Sequence, residues 1–208
     1  NMGLVAEVGG KNASLGEMIA NLKGLGVRVP PGFATTSYAY QEFLKHNNLS
    51  NFINERLETL DPLDLSSLEE TGQSIRQAIL AAELPLSLVE AIEDAFGNLN
   101  LFPGQTVAVR SSATFEDLAD ASSAGQQDTF LNVDGIEQVL VSIKKVFASL
   151  FTNRAIHYRI DKNFNSQKIA ISAGVQLMVR SDLASSGVAF TIDTETGFKD
   201  VAFVTAAY

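Results

Sequence analysis

The chain has 208 residues, 46% of them hydrophobic and 19% charged, and fifteen Lys and Arg against twenty-four Asp and Glu leave a net charge of −9. That is enough chain for one large domain or two small ones with apolar cores, while the acidic balance, with no basic stripe to offset it, argues against nucleic acid or an anionic membrane as partner. Cysteine is absent, which excludes disulfides, thiolate metal sites and a cysteine nucleophile and makes a reducing cytoplasm the expected compartment.

The opening segment NMGLVAEVGG lacks the basic start and apolar run of an export signal. No stretch approaches the roughly 18 consecutive apolar residues of a membrane helix. After a short apolar start, Gly9-Gly10-Lys11 reads as a turn, followed by a helix with Leu15, Met18, Ile19 and Leu22 at helical spacing. Ser14 and Glu17 have the spacing of a capping box at its start. VPPGF at 29–33 cannot be helical and feeds an extended piece, after which Thr36 is placed to cap a helix carrying Tyr40, Phe43 and Leu44. Residues 50–98 read as mostly helical, broken at Asp61-Pro62 and again near Pro85, where a helix restarts.

A turn at Phe102-Pro103-Gly104 introduces a strand at 106–110, and a second strand at 128–133 follows a polar loop. Asp134 and Glu137 then read as the cap of the clearest helix, whose apolar face comprises Ile136, Val139, Leu140, Ile143, Val146, Phe147, Leu150 and Phe151. A basic helix end at 154–162 precedes strands at 169–179, 187–192 and 201–205. Helices come first and strands gather late, so the expected class is α+β, helices packed on mostly antiparallel sheets. The expected division is a helix-rich part, 1–105, and a sheet-containing part, 106–208.

Candidate chemistry is confined to a few places. Gly9-Gly10-Lys11 before a helix could present amides and a cation to a phosphate, or be a plain turn with a solvated lysine. It is not a Walker A motif, which needs glycine where Val5 stands. Arg110 closes the strand Val107-Ala108-Val109 and is followed by Ser111 and Ser112. A guanidinium on a strand end can clamp a phosphate with serine donors beside it, or pair with Glu116 or Asp117 to pin the loop. The loop 114–127 is rich in small and polar residues, as a ligand-ordered lid or a surface loop would be. Thr129, where the chain returns to a strand, is either a site residue or an ordinary ladder edge. Gln176-Leu177-Met178-Val179 closes an apolar strand whose exposed backbone could read an adenine, or which simply fills a core. His46 and His157, the two histidines, show no triad or metal spacing and read as surface residues.

Taken together, VGGKNASLGEM, VPPGFATTSYAY, VAVRSSATFEDLADASSAGQQDTFLNV, RAIHYRI and AGVQLMVRSDLASSGVAFTIDTETGFKDVAFVTAAY resemble the N-terminal nucleotide-binding domain of the phosphoenolpyruvate synthase family, the pyruvate, water dikinases. The resemblance is colinear over essentially the whole chain. It implies an ATP-grasp fold in which two subdomains hold ATP and magnesium, and an enzyme that makes phosphoenolpyruvate from ATP, pyruvate and water through a phosphohistidine on a separate swivelling domain. By position it implies that Lys11, Arg110 and Ser111 bind phosphates, that Gly125 and Thr129 line the covering loop, and that Gln176 with the backbone of Met178 and Val179 meets the adenine.

Two departures qualify the resemblance. Most family members have phenylalanine where this loop has Ser123. The segment carrying the magnesium carboxylates, the histidine domain and the pyruvate-binding barrel would all lie beyond Tyr208, so this length of chain by itself is expected to be inactive and to bind ATP weakly. The alternatives are a dikinase resembling rifampin phosphotransferase, or a nucleotide-sensing module without transfer chemistry.

Overall fold

In a computed structural model of the protein the residues described are 2–61, 64–114, 128–161 and 170–207. They divide into two compact units, residues 1–178 and 179–208. The first holds seven α-helices among its described residues: α1 (Val5–Leu22), α2 (Ser37–His46), α3 (Leu49–Glu58), α4 (Leu65–Ala81), α5 (Leu86–Gly97), α6 (Gly135–Ser149) and α7 (Asn153–Asp161). Its sheet comprises β1 (Gly32–Ala34), β2 (Val107–Ala113), β3 (Thr129–Val133) and β4 (Ile171–Leu177) in the order β1-β4-β2-β3, every pairing antiparallel. The α+β class with an antiparallel sheet is therefore as expected.

Alternation along β2 and β4 sorts their side chains onto two faces. Val107, Val109 and Ala113 of β2 and Ile171, Ala173 and Val175 of β4 belong to the main core, together with Val139, Ile143, Val146 and Phe147 of α6. Those α6 residues fall on one stripe because they recur at helical spacing, and all four are fully buried. Phe147 meets Tyr40 edge-on, ring centroids 5.2 Å apart at 66°, and Phe43 at 5.5 Å, which ties α2 to α6 through aromatic packing. Lys144 of α6 donates to Leu80 O at 3.0 Å and Ala82 O at 3.2 Å, placing a cation on the carbonyl end of α4, where both the free acceptors and the helix dipole favour it.

Several local signals operate as read from the sequence. Thr36 Oγ1 accepts from Ala39 N at 3.2 Å and caps α2. Helices α3 and α4 are separated around Asp61, and α5 starts directly after Pro85. Others are corrected. Ser14 does not mark the start of the helix: α1 already begins at Val5, and the break falls inside it at Gly9, whose φ of 73° and ψ of 163° are non-helical. Asp134 occupies the N-cap position of α6 without a side-chain cap bond; its amide instead donates to Gln138 Oε1 at 3.3 Å. Strand β2 does not stop at Arg110 but continues through Ala113, because Ser111 and Ser112 find partners in Ala173 and Ser172 on β4. The strand thus ends three residues later than expected, and residues 115–127, including Ser123, lie outside the described residues.

The second unit is an antiparallel hairpin of β5 (Ser186–Phe190) and β6 (Phe203–Ala207), in register from Ser186↔Ala207 to Phe190↔Phe203. Asp193 shapes its connection, accepting from Glu195 N at 3.1 Å and Thr196 Oγ1 at 2.5 Å, an Asx-type turn. Ahead of the hairpin, Arg180 and Asp182 form a bidentate pair at 2.7 and 2.6 Å.

Two outcomes test this packing. A Cβ on Gly9 would fall within clashing distance of Ser112 Oγ at a backbone conformation L-residues avoid, so Gly9→Ala should lower unfolding free energy by about 2–4 kcal/mol, read by urea titration. Tyr40 is fully buried and burial pushes its phenol well above the usual tyrosine range. Its proton therefore stays on the folded chain while the unfolded chain releases it, so this group lowers stability as pH climbs above the ordinary tyrosine value. Near-ultraviolet tyrosinate absorbance should show Tyr40 ionising only on unfolding, and Tyr40→Phe should remove that late step.

Candidate functional site

The second face of the sheet carries the polar residues. By alternation Ala108, Arg110 and Ser112 of β2 share it with Ser172, Gly174 and Gln176 of β4, and the cross-strand pairs are Ala108↔Gln176, Arg110↔Gly174 and Ser112↔Ser172. Helix α1 packs onto these strands. The kink at Gly9 allows its backbone against Ser112, whose Oγ accepts from Asn12 N at 3.3 Å. Asn12 Nδ2 donates to Ser172 Oγ at 2.9 Å, and Ser172 Oγ donates in turn to Thr35 O at 2.5 Å. Gly174 has no side chain to hold Asn12 away: a Cβ there would collide with Asn12 Oδ1.

Between α1 and this face lies a cleft of about 270 Å³ lined by Val8, Asn12, Leu15 and Ile19 of α1, Pro30, Gly32, Arg110, Gly174 and Gln176, among others. Apolar side chains make up most of its wall, with Arg110, Asn12 and Gln176 as the polar side chains, the usual composition of a small-molecule site. Gln176 Nε2 donates to Pro30 O at 3.0 Å, which orients the amide. Arg110 is half-buried, its Nε is buried without a hydrogen-bond partner, and no carboxylate pairs with it among the described residues. Burial lowers its pKa from the ordinary arginine value, but a guanidinium remains charged at neutral pH. Chemically the cleft offers one cation with an unsatisfied Nε beside an apolar wall.

The structure therefore brings Arg110 and Gln176 into one cleft. Thr129 is exposed and sits directly opposite Arg110 on β3. Lys11 precedes Asn12 on α1 and is exposed, outside the cleft lining. Ser111 is 3% exposed and alternation puts its side chain on the face opposite Arg110; Ser112 is the serine on the arginine's side. Met178 N donates to Thr106 O at 2.9 Å, and Val179, 63% exposed, opens the second unit with its carbonyl accepting from Ser181 N. Gly125 lies outside the described residues, as do Glu116 and Asp117. His46 and His157 are exposed on α2 and α7.

Asn12, Ser172 and Gly174 are the residues whose part in the site sequence reasoning missed, while Ser112 was read only as a donor beside Arg110. A single glycine inside the apolar strand ISAGVQL was the available signal, since an isolated strand glycine marks a close approach. Among the described residues no group of three His, Cys, Asp or Glu is placed to hold a metal ion, so these residues do not fit a magnesium site. No helix among them is long and apolar enough to cross a membrane.

Comparison with known proteins gives a consistent answer. Residues 5–208 match the family described as the pyruvate phosphate dikinase AMP/ATP-binding domain. The chain is 54% identical over 209 residues to phosphoenolpyruvate synthase of Pseudomonas aeruginosa, covering 98% of this chain and 26% of that protein. It is 53% identical over 205 residues to the Escherichia coli phosphoenolpyruvate synthase, again 98% of this chain and 26% of the relative. With that of Aquifex aeolicus it shares 55% over 203 residues, 96% of this chain and 24% of the relative. The chain thus spans about a quarter of the length of the curated relatives it matches. With its match running from residue 5 to residue 208, the chain belongs to the pyruvate phosphate dikinase AMP/ATP-binding domain family.

Proposed function

We propose that the cleft beside Arg110 holds part of an ATP molecule, and that the chain is the ATP-binding portion of a phosphoenolpyruvate synthase with an ATP-grasp fold. The observation that carries this reading is the Arg110 guanidinium, whose Nε is buried without a hydrogen-bond partner on the wall of an apolar cleft and which has no carboxylate partner among the described residues. A half-buried cation is stabilised by an anion that also makes hydrogen bonds, and arginine matches phosphate oxygens in geometry as well as charge. The cleft, about 270 Å³, is smaller than the roughly 300–1,000 Å³ of typical ligand sites. The rest of the nucleotide is therefore held by other residues, and the relatives' remaining three-quarters of chain is where to look for them.

In this reading Arg110 and Lys11 meet the phosphates with an amide of the Ser111–Ser112 backbone. Gly125 and Thr129 belong to the cover, and Gln176 with the backbone of Met178 and Val179 faces the base. The role of these residues is to bind and orient ATP and to stabilise charge on the phosphoryl group that leaves it. In the complete enzyme the phosphoryl group passes to a histidine on a separate domain and then to pyruvate, while water takes a second phosphate. The products are phosphoenolpyruvate, AMP and phosphate. That histidine lies on a separate domain in this reading, and neither His46 nor His157 lines the cleft. Magnesium would be held by carboxylates outside the described residues.

Calorimetric titration of Mg-ATP into the protein tests the assignment. Arg110→Gln should weaken binding about 10–100-fold, the effect of one charge-assisted phosphate contact. The same substitution should leave urea stability within about 1 kcal/mol, because removing a half-buried charge relieves desolvation. Unchanged ATP affinity in this variant would sink the phosphate role of Arg110.

A further inference from the structure

A second cavity, of about 290 Å³, is lined by Tyr40, Leu44, Ile53, Asn54, Leu57 and Arg159, among others. It belongs to helices α2, α3 and α7 rather than to the sheet, and no residue lines both it and the Arg110 cleft. Arg159 is its unusual member. The residue is 5% exposed, its Nη2 is buried without a hydrogen-bond partner, and no carboxylate pairs with it among the described residues. The guanidinium lies 5.2 Å from the Phe151 ring centroid, so an aromatic face covers one side of the cation and offers only part of what water would supply. The eight residues after Asp161, KNFNSQKI, include no acidic side chain. Burial lowers Arg159 to about 10, which leaves it charged at neutral pH, and the same burial keeps the Tyr40 phenol in its neutral, donating form.

We propose that this cavity is a binding site for a small organic monoanion, a single carboxylate on a short apolar body, with the carboxylate on Arg159 and the body against Leu44, Ile53 and Leu57. One buried cation matches one negative charge; a phosphate dianion would bring a second charge into an apolar enclosure with nothing to compensate it. Tyr40 and Asn54 supply neutral polar groups on the same wall, which suits a carboxylate's remaining lone pairs. At about 290 Å³ the cavity falls just below the usual range of ligand-site volumes, so the occupant has few heavy atoms. This inference is independent of the nucleotide reading.

Thermal unfolding with added propionate, at ionic strength held constant with sodium chloride, tests the site. Propionate at about five times its dissociation constant should raise Tm by roughly 2–4 °C, and inorganic phosphate at the same ionic strength by less than half as much. Asn54→Asp, which brings a carboxylate into the cavity, should raise Tm without ligand and abolish the propionate shift. Leu57→Phe, which fills the apolar end, should abolish the shift too, and serves if the aspartate variant does not fold. Arg110→Gln should keep the shift, separating this site from the nucleotide cleft. No shift in the wild-type protein, an equal shift with phosphate, or a shift that survives in a folded Asn54→Asp or Leu57→Phe variant would each overturn the proposal.

Discussion

The structure around the cleft depends on one close approach: the backbone of α1 at Gly9 lies against Ser112 of β2. A side chain at residue 9 would hold the helix off the sheet, and a helical φ there would aim its second half elsewhere. Once the helix is seated, Asn12 reaches both Ser112 and Ser172 and fixes α1 to two neighbouring strands at once. The polar face of the sheet is then neither open to water nor filled by core. It becomes the floor of a cleft, and Arg110 is left on that floor with an apolar helix above it. The glycine pair that first suggests a phosphate loop thus acts, at Gly9, through packing.

Charge adds a second level of organisation. The chain carries −9 overall, yet two of its arginines, Arg110 and Arg159, have a buried nitrogen with no partner. Neither is paired with a carboxylate among the described residues, although acidic residues outnumber basic ones. An acidic surface repels anions at long range and cannot gather polyanions, whereas a desolvated guanidinium inside a cavity attracts strongly at short range. Such an arrangement favours small anions that fit a shaped cavity over extended ones that read a surface.

Legibility from the sequence followed the range of the interaction. The apolar stripe of α6, the Thr36 cap and the restart at Pro85 are decided by residues within one or two turns of each other, and all three stand in the fold. The Ser14 and Asp134 caps had the right spacing but lost to neighbouring local alternatives. Helix α1 gained a turn on its N-terminal side across Gly9, and Gln138 took over the Asp134 amide. The end of β2 was misjudged because Ser111 and Ser112 are poor strand formers in isolation, yet β4 supplies a full ladder to both.

By itself the sequence determined the α+β class, the family, and Arg110 and Gln176 as residues worth watching, because composition, periodicity and colinear motifs are properties of the chain alone. Tertiary structure decided the rest of the site. That Ser112 shares a face with Arg110 requires β2 to continue past residue 110, and the pairing that extends it comes from the distant strand β4. That Asn12 and Gly174 meet, that Lys11 stands outside the cleft lining, and that Arg159 is enclosed beside a cavity rather than spread over a helix surface follow from how α1 and α7 are packed. Burial and pairing are relations between distant residues, so no local pattern can encode them.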